Sequence, residues 1–217
     1  MWREEEVAIT NAVASSLGVE FFIISRKNPI DTITKLVFKS TTQKAYLSFP
    51  ITKVIDKPDI LGKIQSFKEL MTKQMIIWDP ITISERRLLR HIVNETDLTK
   101  EIAIETLGSR LSLKVKEIDD IKQDIDGQII SRDYRLINQS DLIITYIPEI
   151  DGSPDISAGC QTEVHYAYEL PRKVFILWES DGDPSPWIVQ NATEVFKGKK
   201  MFDELLEYLK KENLIIN

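Results

Sequence analysis

The stretch ISRDYRLINQSDLIITYIPEIDGSPDISAGCQTEVHYAYELPRKVFILW, residues 130–178, decides the fold. Its apolar run at 142–147 is short and rich in isoleucine, which predicts a buried strand. A glycine-containing loop follows, and then Glu163 precedes apolar residues at helical spacing, which predicts a helix packed on a sheet. A second apolar run at 174–178 predicts the next strand. This order is typical of a parallel α/β sheet, whose ligands bind at the carboxyl ends of the strands.

The same alternation of strands and helices continues on both sides of this stretch. The further predicted elements are strand 45–52, helix 58–73, strand 75–78, helix 129–140, strand 192–196 and helix 201–212. Strands that alternate with helices indicate βα units and a mainly parallel sheet.

Two segments lie outside this regular pattern. Residues 1–40 predict an α-β-α extension packed on or beside the core, with a helix at 4–17, a strand at 19–25 and a helix at 30–38. Residues 41–217 are expected to form the α/β domain, with a helical insertion at about 81–126. The helices predicted in that insertion cover 84–95, 100–109 and 115–126, the last closed by Gly127.

Composition and charge limit the class of protein. The 217 residues carry a net charge of −6, which argues against a general nucleic-acid-binding surface. The single Cys160 excludes an intrachain disulfide and a cysteine-built zinc site. The apolar runs have the length of strands rather than of membrane spans, and the amino terminus carries acids where a secretory signal has a basic start. We expect a soluble, cytoplasmic protein without a membrane partner.

Several common catalytic motifs are missing from the sequence. It contains no GxxxxGK[ST] and no GxGxxG, so a phosphate-loop enzyme and a dinucleotide-binding fold lack support. His91 and His165 are the only histidines, and no HExxH spacing occurs. We therefore expect no metal and no cofactor. Cys160 has no histidine placed by sequence to activate it, so a cysteine nucleophile is poorly supported.

Two carboxylates, Glu163 and Asp133, are the candidate catalytic groups. The amides at the start of the helix that carries Glu163 favour an anion. Glu163 itself is equally well explained as a first-turn charge that stabilises the helix by less than about 1 kcal/mol. Asp133 is equally well explained as a surface partner of Arg132 or Arg135. Local pattern alone leaves both alternatives open.

Three segments carry a resemblance to a known family. KAYLSFPIT (44–52), RDYRLINQSDLIITYIPE (132–149) and SAGCQTEVHYAYELPRKVFIL (157–177) together resemble the nucleoside 2-deoxyribosyltransferase family. They are most similar to its branch of nucleoside 5'-monophosphate N-glycosidases. The resemblance implies a doubly wound, flavodoxin-like sheet and cleavage of the bond between base and sugar.

The resemblance also implies roles for individual residues. The family pattern Asp-x-Gly-Thr-x-x-Glu corresponds here to Ser157-Ala-Gly159-Cys-Gln-Thr-Glu163, and the serine is typical of the monophosphate hydrolases, where it helps to hold the 5'-phosphate. Glu163 would then be the nucleophile and Asp133 the second carboxylate. Tyr46 and Ser48 would lie on the first loop and Ser157 on the phosphate.

Residue type alone indicates further candidate members of the site. Gly159 allows the backbone to approach a ligand closely. Tyr46, Trp78 and Tyr146 could close the site and stack on a base, although each is at least as well explained as a core residue.

One departure from the family bears on the substrate. The hydrolases have a phosphate loop with glycine and arginine after their first strand, whereas this chain has Ser48-Phe-Pro50-Ile-Thr52-Lys53. The sequence therefore predicts N-glycosidic cleavage or transfer on a nucleoside or nucleoside 5'-monophosphate. A non-catalytic nucleotide-sensing module on the same fold is the alternative. The partner is a small molecule rather than a nucleic acid, and the resemblance implies a homodimer.

Overall fold

The computed structural model describes residues 4–24, 29–39, 41–54, 56–79, 95–106, 109–120 and 122–215. By their contacts, residues 1–21 and 81–133 group into one compact unit, and residues 22–80 and 134–217 group into a second. The expected domain boundary near residue 40 stays a prediction.

The described elements follow one another along the chain. The strands are β1 Lys44–Ser48, β2 Ile76–Trp78, β3 Glu101–Thr106, β4 Ser109–Lys114, β5 Leu142–Ile147, β6 Glu149–Ile150, β7 Ser153–Pro154, β8 Lys173–Trp178 and β9 Glu194–Lys197. The helices are α1 Glu4–Ser16, α2 Pro29–Phe38, α3 Ile51–Val54, α4 Pro58–Gln74, α5 Val115–Asp120, α6 Lys122–Asn138, α7 Ala158–Glu169, α8 Pro186–Asn191 and α9 Met201–Lys211.

The main sheet lies in the second unit. Within the described residues, five strands form it in the order β2-β1-β5-β8-β9, and each neighbouring pair is parallel. The chain passes from β1 outward to β2 on one side and from β5 outward to β8 on the other. The topological switch point therefore lies between β1 and β5, where open α/β sheets bind their ligands.

Helices α4 and α9 cover one face of this sheet. The rings of Phe67 in α4 and Phe202 in α9 lie 4.8 Å apart, and Tyr146 of β5 packs on Phe202 at 5.4 Å. Phe175 of β8 meets Tyr208 of α9 at 5.5 Å. These contacts join both helices to the central strands.

The carboxyl-terminal end of α6, together with α7 and α8, covers the opposite face. Their buried side chains form one apolar cluster with strand residues on that face, including Tyr46, Trp78, Ile143, Trp178, Ile137, Val164, Ala167 and Ile188. Helices on both faces explain why the strands are continuous apolar runs rather than alternating ones. The predicted doubly wound, mainly parallel α/β fold is confirmed.

The amino-terminal segment differs from its prediction at the strand. Helices α1 and α2 are confirmed, but residues 19–24 adopt no regular secondary structure, so the strand predicted there is wrong. The side chain of Gln139 accepts from the amide of Ile23 at 2.9 Å and donates to its carbonyl at 2.8 Å. One side chain thus replaces a neighbouring strand, while Phe22 and Ile24 still pack on the apolar cluster.

The insertion differs more. The helix predicted at 100–109 is wrong, because β3 and β4 form an antiparallel hairpin there. Ile102 and Leu113 face each other across this hairpin and pack on Val115 and Ile118 of α5. The apolar residues of this segment therefore follow the two-residue period of a strand and not the period of a helix.

The last helix predicted in the insertion is confirmed in part. Residues of the range 115–126 are helical in α5 and α6, but Gly127 lies inside α6 rather than at a helix end. The helix predicted at 84–95 lies almost entirely outside the described residues. Among the residues that the structure describes, no helix is both long and apolar enough to cross a membrane.

Candidate functional site

Glu163 holds its carboxylate against the carboxyl-terminal half of β1. The hydroxyl of Tyr46 donates to Oε1 at 2.8 Å, and the hydroxyl of Ser48 donates to Oε2 at 2.5 Å. Tyr46 and Ser48 are alternate residues of β1, so both side chains point to the face that α7 covers. Ser48 lies opposite Thr145 of β5. The carboxylate is therefore at the switch point between the two strands.

The position of Glu163 in its helix removes one alternative. Helix α7 starts after Ser157, and its first turn contains no acidic residue. Glu163 lies on the second turn instead. The interpretation of Glu163 as a first-turn charge is therefore wrong, because the effect of a helix dipole fades beyond that turn.

Ser157 is the amino-terminal cap of α7. Its Oγ accepts from the amide of Cys160 at 3.2 Å, and its backbone is extended, as a cap requires. Gly159 follows on the first turn, where a Cβ would meet the Ser157 hydroxyl at an ordinary 3.7 Å. The phosphate role of Ser157 and the ligand role of Gly159 stay predictions.

Cys160 lies between the cap and the carboxylate. Burial, followed by the negative charge of Glu163, raises the pKa of the Cys160 thiol to about 12, although hydrogen bonds with Ser157 and Ser48 oppose that rise. The thiolate is therefore scarce at neutral pH, which argues against a cysteine nucleophile, as the sequence predicts.

Asp133 lies on α6, where it is buried beside Arg132. The guanidinium of Arg132 donates to Oδ1 through Nε at 3.0 Å and through Nη2 at 2.7 Å. The pairing with Arg132 matches the alternative for Asp133, but the pair is not at the surface, since the side chains are only 12% and 15% exposed. A buried ion pair is weak evidence for a purely stabilising role. The catalytic role of Asp133 stays a prediction.

Unpaired polar atoms mark the same face of the sheet as Glu163. Four side-chain atoms of the described residues are buried without a hydrogen-bond partner, and three of them lie on this face: Trp78 Nε1, Thr145 Oγ1 and Trp178 Nε1. Such atoms are rare, and bound water or ligand is their usual partner. The sequence pointed to Trp78 only. Thr145 and Trp178 were missed, and their one signal is a polar atom inside or at the end of a predicted apolar strand.

Tyr146 does not belong to this site. It points to the face covered by α4 and α9, and its hydroxyl donates to Glu179 at 2.6 Å. The expectation that Tyr146 closes the site around Glu163 is therefore wrong. Burial and the hydrogen bond to Glu179 raise the pKa of Tyr146. Burial opposes ionisation of Glu179, but Lys63, Tyr146 and the amide of Glu149 lower the pKa of Glu179 below its usual value.

Comparisons with known proteins add a fold-level likeness. No protein-family model matches the chain. No curated protein has a significantly similar sequence. A solved structure of a 2-deoxyribosyltransferase from the psychrotolerant bacterium Bacillus psychrosaccharolyticus matches with 13% identity and a TM-score of 0.43, over 75% of this chain and 89% of that chain. A conserved protein from Enterococcus faecalis V583 matches with 15% identity and a TM-score of 0.38, over 79% of this chain and 99% of that chain.

These likenesses are too distant to assign an activity. The class of protein rests on the strand order and the helix placement: a doubly wound α/β protein with a carboxylate at its switch point.

Proposed function

We propose that this protein cleaves or transfers the N-glycosidic bond of a nucleoside or nucleoside 5'-monophosphate, with Glu163 as the nucleophile. One observation carries the proposal: the carboxylate of Glu163 lies at the switch point with each oxygen held by a hydroxyl of β1. A glutamate fixed in this way is oriented for attack on a substrate in the crevice beside it.

The chemistry requires a carboxylate that is fixed before the substrate arrives. Departure of the base leaves an oxocarbenium-like sugar, and Glu163 attacks its anomeric carbon to form a glycosyl ester. Tyr46 and Ser48 stabilise the negative charge and fix the carboxylate plane. Each carboxylate oxygen accepts more than one hydrogen bond, so a donor on an oxygen still leaves a lone pair for the sugar. Water or a second base then attacks the anomeric carbon, which breaks the ester bond and frees the carboxylate of Glu163.

Asp133 is the second carboxylate of the proposal. The Arg132-Asp133 pair of the sequence resemblance supports this assignment, together with the burial of Asp133. In the proposal Asp133 protonates the leaving base and then accepts a proton from the attacking water, as the acid/base carboxylate of a retaining glycosidase does.

The 5'-phosphate of the substrate is assigned to Ser157. A serine hydroxyl that accepts one hydrogen bond still has a proton to donate, and the start of α7 favours an anion. We expect Ser157→Ala to weaken turnover of a 5'-monophosphate more than that of its nucleoside. Equal losses for both substrates would remove the phosphate from the proposal.

The proposal is tested by measuring free base released from a panel of nucleosides and 5'-monophosphates. Wild type should release base and Glu163→Gln should not. Glu169→Gln is the matched control, because Glu169 is an exposed glutamate on the same helix. Full turnover by Glu163→Gln would overturn the nucleophile assignment.

A non-catalytic nucleotide sensor is the second candidate. The observation that favours it is that the segment after β1, Ser48-Phe-Pro50-Ile-Thr52-Lys53, has neither the glycine nor the arginine of the hydrolases' phosphate loop. Calorimetric binding of a nucleotide without release of its base would support the sensor over the enzyme. The homodimer is part of the proposal for either function, and light scattering measures it.

A further inference from the structure

Two chain segments leave the carboxyl ends of β1 and β5 at the switch point, and we call them the walls of the ligand crevice that an open α/β sheet has at this place. Residues 49–57 follow β1 and lead into α4, which covers one face of the sheet. Residues 148–157 follow β5 and lead into α7, which covers the other face. In an open α/β sheet the ligand enters between two such segments. Ser48, at the end of β1, donates to Glu163, so the carboxylate lies where these two segments begin.

Two ion pairs join the walls across this crevice. Nζ of Lys53 lies 2.6 and 2.8 Å from the two carboxylate oxygens of Asp155. Nζ of Lys57 lies 3.1 and 3.2 Å from those of Asp151. Both lysines belong to the wall after β1 and both aspartates to the wall after β5. The pairs are therefore arranged as a latch between the walls.

The wall that carries the aspartates is a preformed hairpin. Strands β6 and β7 pair antiparallel and are joined by Asp151 and Gly152, whose φ angles of 53° and 85° are those of a tight hairpin turn. The amide of Asp155 donates to the carbonyl of Pro148 at 3.3 Å and closes the neck of the hairpin. A segment with its own hydrogen bonds can move as one body.

The first residue of this hairpin is held by Glu179, which follows β8. The amide of Glu149 donates to Glu179 at 3.1 Å, and Lys63 forms an ion pair with the same carboxylate. The hairpin is therefore anchored at its first residue, Glu149, and the chain leaves it after Pro154 toward the Ser157 cap of α7.

We propose that residues 149–155 form a strap that gates the crevice leading to Glu163, latched by the pairs Lys53–Asp155 and Lys57–Asp151. The lysines are 42% and 36% exposed, so the latch lies where salt screens it. Exposed ion pairs stabilise little, so loss of both should raise the population of the open strap roughly two- to tenfold.

The chain supplies its own probe for the open strap. Cys160 is the single cysteine, it is only 1% exposed, and it lies on α7 beside Glu163 and Ser157. Its rate of labelling by a small, uncharged thiol reagent reports how often the crevice opens. This readout uses no substrate, so its failure and that of the proposed function are distinguishable.

The labelling rate should be measured from about 0.02 to 0.5 M NaCl, a range over which screening lengths fall severalfold. We expect salt to accelerate the labelling of wild type roughly two- to tenfold. The double variant Lys53→Gln with Lys57→Gln should be fast already at low salt and insensitive to added salt. Lys197→Gln is the matched control, because its lysine is similarly exposed and ion-paired, with Asp183, but it is the last residue of β9, which does not border the crevice.

A charge swap protects the test from a folding artefact. Lys53→Asp combined with Asp155→Lys should restore slow, salt-sensitive labelling, while Lys53→Asp alone should not. Equal labelling of wild type and the Gln double variant at every salt concentration would overturn the strap. So would an acceleration by Lys197→Gln of the same size, because it would assign the effect to general loss of positive charge.

Discussion

The hydrogen bond between Tyr46 and Glu163 can be removed without disturbing the core around it. Tyr46→Phe deletes only the hydroxyl, and the ring remains in a fully buried position of β1. A hydrogen bond to a charged group contributes about 1.5–3 kcal/mol to stability. Because Glu163 is half-buried, water compensates part of the loss, and we expect the free energy of unfolding to fall by about 1–2 kcal/mol.

A double-mutant cycle isolates this contact. The free energy of unfolding should be measured by urea denaturation for wild type, Tyr46→Phe, Glu163→Ala and the double variant. We expect the losses to be non-additive by about 1 kcal/mol, because the second change removes an interaction that is already gone. Tyr168→Phe, an exposed tyrosine on α7, is the control and should be neutral. Additive losses, within about 0.3 kcal/mol, would refute the contact on which the site is built.

Three further predictions concern polar groups elsewhere in the protein. Lys68→Met should lower stability by about 1.5–3 kcal/mol in urea denaturation, because it removes a charged hydrogen-bond partner of the buried Asp79; a loss below about 0.5 kcal/mol would contradict that role. Glu179 has a lowered pKa in the folded state, so its contribution is present above its usual value of 4.5 and is lost as the pH falls through the lower folded value. Glu179→Gln should therefore lose less stability than wild type when urea denaturation at pH 7 is compared with pH 3, and equal losses would contradict the assignment. Thr145→Val should leave the free energy of unfolding within about 0.5 kcal/mol or raise it, since the Thr145 hydroxyl has no partner among the described residues. Thr193→Val should lower it by about 1 kcal/mol, because the Thr193 hydroxyl accepts from the amide of Val174. Equal effects of the two changes would show that the hydroxyl of Thr145 is hydrogen-bonded.

The sheet could be predicted because its strands are covered on both faces. Runs such as 142–147 and 174–178 are apolar throughout, and strand-length apolar runs between helices leave few other arrangements. The hairpin of β3 and β4 could not be predicted in this way. Its first strand, Glu101–Thr106, alternates over so few residues that a helical period fits the same letters.

The site could be predicted only in part, because its contacts join distant residues. Tyr46 and Ser48 are 117 and 115 positions from Glu163, and no local pattern connects them. The family resemblance named all three residues and placed Tyr46 and Ser48 on the first loop, whereas in the structure both lie on β1 and donate to Glu163. The ion pairs of Lys53 and Lys57 arise from the sheet topology, which the sequence order does not reveal.

The most direct test of the central account is mass spectrometry of the peptide that spans α7 after reaction with a 2'-fluoro nucleoside or nucleotide. An electronegative 2'-substituent slows breakdown of a glycosyl ester, because that step passes through an oxocarbenium-like transition state. The account predicts release of the base and a sugar adduct on Glu163 in wild type and in Glu169→Gln, with neither in Glu163→Gln. Base release with the adduct on another residue, or base release by Glu163→Gln, would contradict it.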